Sequence, residues 1–128
     1  MHKDEMNILI VEDFATMRRI IRNILRQAGY LHVIEADDGM SALRKLRGER
    51  IDLVIADWNM PNMTGLDLLK VMRSEEGLRD IPFLMVTAEG KKDNIIEAIQ
   101  SGASSYLVKP FTPESLSRKI EEVLVQVY

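Results

Sequence analysis

Four short apolar runs, each ending in a residue that can do chemistry, constrain this chain more than any other feature. Ile8-Leu9-Ile10-Val11 runs into Glu12-Asp13, Leu53-Val54-Ile55-Ala56 into Asp57, Phe83-Leu84-Met85-Val86 into Thr87, and Tyr106-Leu107-Val108 into Lys109. Runs this short, rich in Val, Ile and Leu and separated by stretches with helical spacing, are the pattern of parallel strands covered on both faces by crossover helices. Parallel strands share a direction, so their C-terminal ends share an edge. Three carboxylates, a hydroxyl and an ammonium then meet where open α/β sheets bind ligands. Carboxylates crowded in this way call for a cation.

The pattern predicts strands at Asn7–Val11, His32–Ala36, Leu53–Asp57, Phe83–Val86 and Ser105–Val108. The first helix is expected over Ala15–Ala28, with Met17, Ile20, Ile21, Ile24, Leu25 and Ala28 as its apolar stripe and Gly29 as its stop. Arg18, Arg19, Arg22 and Arg26 mostly fill its other face, and Arg18 and Arg19 read as solvated charges. Further helices are expected over Met40–Arg47, Leu66–Ser74 and Lys92–Ser101. The last helix begins with Thr112 as cap and Pro113 at the first helical position. The architecture is α/β, an open doubly wound (βα)5 sandwich. Right-handed crossovers make the sheet reverse direction once, with the first strand beside the switch point.

A chain of 128 residues is read as one domain spanning 1–128, with its core at about 6–127 and no effector domain after Tyr128. The absence of cysteine excludes disulfides, thiolate metal sites and cysteine nucleophiles. A formal charge of −3 argues against a general nucleic-acid surface. No apolar run reaches the ~18 residues of a membrane span, so no membrane partner is expected and the cytoplasm is. His2 and His32 have no metal-ligand spacing, and the eight methionines read as core and loop filler. Taken alone, Glu12-Asp13 could equally be a capping pair for the first helix. Tyr106 alone reads as a half-buried packing residue, and Trp58 as a rim residue. The Lys109-Pro110 bond, directly after a strand, is expected to be cis.

Val11-Glu12-Asp13, Asp57-Trp58-Asn59-Met60-Pro61-Asn62-Met63, Thr87-Ala88-Glu89 and Lys109-Pro110-Phe111, in this order and spacing, resemble the receiver domain of two-component response regulators. Phe14-Ala15-Thr16-Met17-Arg18-Arg19 and Lys91-Lys92 bring the chain nearest to the single-domain chemotaxis regulators within that family. The resemblance implies the flavodoxin-like fold with strand order 2-1-3-4-5. It implies that Asp57 is the phosphoryl acceptor and that Thr87 and Lys109 are its phosphate partners. It also implies a Mg2+ site made of Asp13, Asp57, the Asn59 backbone carbonyl and Glu12, the last through a water. Thr87 and Tyr106 would form the switch, while Glu89 and Asn59 match positions that tune dephosphorylation. Lys91, Lys92, Ile95, Tyr106, Val108, Phe111 and Lys119 would line the partner face. The implied partners are a chemotaxis histidine kinase, the flagellar motor switch protein FliM and a CheZ-type phosphatase.

The residues support these roles on chemical grounds. A carboxylate attacking a phosphoryl group approaches another anion, and magnesium, which takes oxygen ligands and keeps several waters, neutralises both. Lys109 can offset charge on the phosphoryl oxygens, and the Thr87 hydroxyl can donate to one of them. The chain departs from the family at Glu12, where Asp is usual; the extra methylene either displaces a water or shifts the ion. Magnesium binding in the millimolar range is still expected, because Asp13 and Asp57 are intact.

The expected function is a phosphorylation switch that biases flagellar rotation. It is expected to be no enzyme, since it catalyses only its own phosphorylation and dephosphorylation. A phosphate sink or a regulator with a non-motor partner is the alternative within signalling. A nucleotide or flavin carrier on the same fold is disfavoured, since Glu12-Asp13-Phe14 stands where a Gly-rich phosphate loop would be needed. A monomer is expected because the partner face is chemically mixed.

Overall fold

Strand residues alternate between two helix layers, and that alternation builds the molecule. The computed structural model describes residues 2–88 and 90–127, with only the backbone of 126 and 127. After a 3-10 turn at Lys3–Glu5, the chain runs β1 (Asn7–Val11), α1 (Ala15–Gln27), β2 (His32–Ala36), α2 (Gly39–Gly48) and β3 (Leu53–Asp57). It continues through α3 (Gly65–Ser74), β4 (Phe83–Thr87), α4 (Lys92–Gln100), β5 (Ser105–Val108) and α5 (Pro113–Val127). All four strand pairings are parallel, and the order is β2-β1-β3-β4-β5. The chain therefore reverses direction beside β1, as expected, and has the flavodoxin-like receiver architecture.

Successive side chains of a strand point to opposite faces. Leu9, Val11, Val54, Ala56, Phe83 and Met85 accordingly enter one core with α2, α3 and Ala98 of α4. Ile8, Ile10, Leu53, Ile55, Leu84 and Val86 enter the other, with Ile21, Ile24 and Leu25 of α1 and Leu116, Ile120 and Val123 of α5. β3 and β4 are buried at every position. Each such Val, Leu or Ile contributes about 1.5–3 kcal/mol of transfer free energy.

Helix starts follow local chemistry. Asp38 accepts from the Ser41 N–H at 2.7 Å to cap α2, Thr64 and Asp67 form a reciprocal capping box on α3, and Thr112 caps α5 by accepting from the Ser115 N–H at 3.0 Å. α1 and α4 differ: their cap positions are Phe14 and Lys91, neither with a side-chain cap bond, so neither Glu12 nor Asp13 is the cap residue of α1, although Glu12 Oε2 accepts from the Phe14 N–H at 3.5 Å. Gly29 follows α1 with φ 101°, a left-handed conformation that glycine adopts without a Cβ penalty. β4 runs one residue longer than expected, to Thr87, and the Lys109-Pro110 peptide is cis. No helix among the described residues is long and apolar enough to cross a membrane.

Candidate active site at the carboxyl edge of the sheet

The strand ends deliver their polar residues to one edge. Asp57 ends β3 in register with Val86, and Thr87 ends β4 in register with Val108 of β5. The next backbone N–H, that of Lys109, donates to the Thr87 carbonyl at 2.8 Å. Lys109 Nζ in turn lies 2.8 Å from Glu12 Oε1 and 3.4 Å from Asp57 Oδ2. Glu12 follows β1, and its N–H donates to the Ala36 carbonyl at 3.0 Å, extending the β1–β2 ladder by one step.

Carboxylate oxygens of Glu12, Asp13 and Asp57 lie within 4.8 Å of one another. Glu12, Asp57 and Thr87 are buried, whereas Asp13 is exposed, so the cluster opens on one side. Oxygen donors grouped like this fit a hard divalent cation. The site therefore takes metal-suitable ligands from β1 and β3 and a compensating ammonium from the residue after β5.

The depth of Glu12 alters its acidity. Burial pushes its carboxyl up from 4.5 to about 7, reinforced by the charge on Asp57 and opposed by the Lys109 hydrogen bond. Burial pulls Lys109 down, but its hydrogen bond to Glu12 and the charges of Asp57 and Glu12 outweigh this and leave it raised. Between pH 4.5 and about 7 the folded, metal-free protein holds a proton on Glu12 that the unfolded chain has released. The stability this contributes is present below the lower value and lost as pH rises through the upper one. Glu12→Gln is expected to flatten that decline in urea melts without metal, and an unchanged slope would show that Glu12 is not its source.

Other predicted residues are placed as follows. Asn59 is exposed on the loop after β3, and Glu89 lies outside the described residues. Trp58 is half-buried against the α2–α3 core, a rim position as expected. Lys91 and Lys92 are exposed at the start of α4, Ile95, Tyr106 and Val108 are half-buried, and Lys119 Nζ sits 5.5 Å from the centre of the Tyr106 ring. Phe111 is half-buried and packs against the α1–α5 core. Ile96 and Ile99 of α4 are exposed and were not anticipated.

The reading of Arg18 as a solvated charge is also corrected, and Arg22 joins it on the same acid. Arg18 Nε lies 3.1 Å from Glu35 Oε1 and Arg22 Nη1 lies 3.0 Å from Glu35 Oε2, while Arg18 Nη1 donates to the Glu12 carbonyl at 2.8 Å. The i, i+4 spacing of the two arginines shows that they share a helix face. The acid on β2 that faces them was not legible until α1 was placed.

The response regulator receiver domain family matches residues 8–121. The chemotaxis protein CheY of Pseudomonas aeruginosa is 54% identical over 122 residues, covering 95% of this chain and 98% of that protein. Chemotaxis protein CheY-3 of Vibrio cholerae is 52% identical over 118 residues, covering 92% and 91%. Among solved structures, chemotaxis protein CheY4 of Vibrio cholerae has a TM-score of 0.86 at 37% identity, covering 92% of this chain and 98% of that one. The receiver domain of Francisella response regulator 1452 has a TM-score of 0.88 at 26% identity, covering 97% and 100%. These matches overturn the expectation that the chain is no enzyme, because receiver domains autocatalyse phosphotransfer and the catalysis belongs to the domain itself. The chain belongs to the response regulator receiver domain family, as a chemotaxis receiver of the CheY type within two-component signalling.

Proposed function

We propose that this chain is a cytoplasmic, monomeric phosphorylation switch, a single receiver domain that accepts a phosphoryl group on Asp57 from a chemotaxis histidine kinase. Once modified, it binds the flagellar motor switch protein FliM, and a CheZ-type phosphatase resets it. The observation that carries this reading is the cluster of Glu12, Asp13 and Asp57 oxygens within 4.8 Å, with Lys109 Nζ 3.4 Å from Asp57 Oδ2.

An Asp57 oxygen attacks phosphorus while the bond to the donor's histidine nitrogen breaks. Magnesium, when held by Asp13, Asp57, the Asn59 carbonyl and Glu12, offsets the charge of both anions. Lys109 is drawn between two acids in the resting protein, and a phosphoryl group on Asp57 offers its ammonium a stronger anion. The Thr87 hydroxyl donates to the same group.

Register supplies the route outward. Thr87 pairs with Val108, and Tyr106 is two residues earlier on β5, so all three belong to one face of the sheet. Movement of Thr87 toward the phosphoryl group frees space on that face for Tyr106, next to Lys119 and α4. The numbered paralogue names among the relatives favour keeping a phosphate sink or non-motor regulator as the second reading.

The test is binding of a peptide from the N-terminal segment of the motor switch, with and without magnesium and beryllofluoride, while Trp58 fluorescence reports occupancy of the site. Tighter binding in the activated protein is expected. A clear Trp58 response with unchanged peptide affinity would retain the receiver chemistry and replace the motor by another output.

A further inference from the structure

We infer that Arg18 is a positioning residue for the metal-binding carboxylates, acting through the main chain of Glu12; this deepens the function proposed above and rests on it. Glu12 is held at four points. Its N–H donates to the Ala36 carbonyl at 3.0 Å, its Oε1 accepts from Lys109 Nζ at 2.8 Å, its Oε2 accepts from the Phe14 N–H at 3.5 Å, and its carbonyl accepts from Arg18 Nη1 at 2.8 Å. The first three fix the residue itself. The last fixes the plane of the Glu12–Asp13 peptide, and that plane sets the direction in which the Asp13 carboxylate leaves the backbone.

The bond from Arg18 needs an anchored donor, and the fold provides one. Arg18 Nε donates at 3.1 Å to Glu35 Oε1, whose partner oxygen is held by Arg22 Nη1 at 3.0 Å. The Glu35 carbonyl accepts from Lys45 Nζ of α2, which ties the same residue to a second helix. Glu35 immediately precedes Ala36, the residue that receives the Glu12 N–H. Arg18 therefore spans from the side chain of β2 to the main chain leaving β1, where the two strands are already in register. A rigid planar fork of donors serves a carboxylate and a carbonyl in fixed, separate directions; an ammonium is a point donor without that geometry.

Electrostatics and positioning make opposite predictions here, which lets the two be separated. Arg18 carries a positive charge beside a site for a cation, so removing the charge alone would tighten magnesium binding. Loss of orientation would weaken it. Residues that orient metal ligands from behind typically change affinity by about tenfold or more when removed.

The experiment is a magnesium titration followed by Trp58 fluorescence on the intact chain, on Arg18→Met and on Arg22→Met, with circular dichroism to verify folding. Arg18→Met is expected to weaken binding about tenfold, and Arg22→Met, which leaves the Glu12 contact in place, to stay within about twofold. Should Arg18→Met fail to fold, Arg18→Lys carries the test and is expected to weaken binding by about threefold, since it keeps the charge without the fork. Unchanged or tighter binding in the folded Arg18 variant overturns the inference alone. Absence of any magnesium response in the intact chain overturns both the inference and the proposed function.

Discussion

Asp57→Asn is expected to abolish acceptance of a phosphoryl group, with labelling from a phosphorylated kinase or from a small phosphodonor falling to background. The amide keeps the size of the side chain, so the buried position at the end of β3 remains filled. It cannot act as the anionic nucleophile, and it withdraws one of the three carboxylates within 4.8 Å. Magnesium affinity should fall by about tenfold or more as a result. The folded state should not suffer, because the change relieves repulsion of Glu12 as well as removing an ion-pair partner of Lys109. A variant that still acquires a phosphoryl group would place the acceptor at another residue. Phosphate-affinity electrophoresis beside the unmodified chain is the measurement.

The largest effect on stability is expected at Gly65. A Cβ there would lie 2.1 Å from the Asp57 carbonyl oxygen, 2.9 Å from its carbon and 3.1 Å from Trp58 Cα. All three are backbone atoms, so no rotamer change relieves the clash, and the Gly65 N–H is itself committed to the Trp58 carbonyl at 2.8 Å. Gly65→Ala should therefore cost about 3 kcal/mol and push the end of β3 away from α3. Gly48, at the end of α2, has nothing within 4 Å of the same hypothetical atom. Gly48→Ala is expected to be neutral or stabilising by up to about 1 kcal/mol. Urea melts of both variants check the contrast, and equal destabilisation would show that helix position, rather than contact with Asp57, decides the outcome. Because Gly65 abuts the main chain of Asp57, its replacement should also weaken magnesium binding, an effect that Gly48→Ala should lack.

The contrast between these two glycines marks what could be read from the sequence. Gly48 directly follows one expected helix, Met40–Arg47, and Gly65 directly precedes another, Leu66–Ser74, and nothing local distinguishes them; only the return of α3 against the end of β3 makes one irreplaceable. The strands were legible because burial on both faces leaves uninterrupted apolar runs such as Leu53–Ala56, and their polar terminators were legible because every run ends at the same edge. The sheet order came with the resemblance, whose four motifs also named the acids, Thr87 and Lys109. Glu12 was legible as an acid near a metal but not as a buried one raised to about 7, since its burial is set only once the strands and helices are packed together. Glu35 was invisible for a related reason. Its strand is an edge strand with mixed exposure, where a charged residue is ordinary, and its two arginine partners become neighbours only once α1 crosses back over the sheet.

The alternation that divides the strand side chains between two cores also divides the protein's responses. A sheet buried on both faces is a partition. Thr87 and Tyr106 belong to the compartment of α2, α3 and α4, while Ile55, Leu84 and Val86 fill the one shared by α1 and α5. On the function proposed, a rearrangement started at Thr87 would spend itself in repacking one compartment, with the other as the wall against which the movement is made. The half of the molecule that holds Glu12 through Arg18 would in this sense be the stator, and α4, with its exposed Ile96 and Ile99, the part that turns.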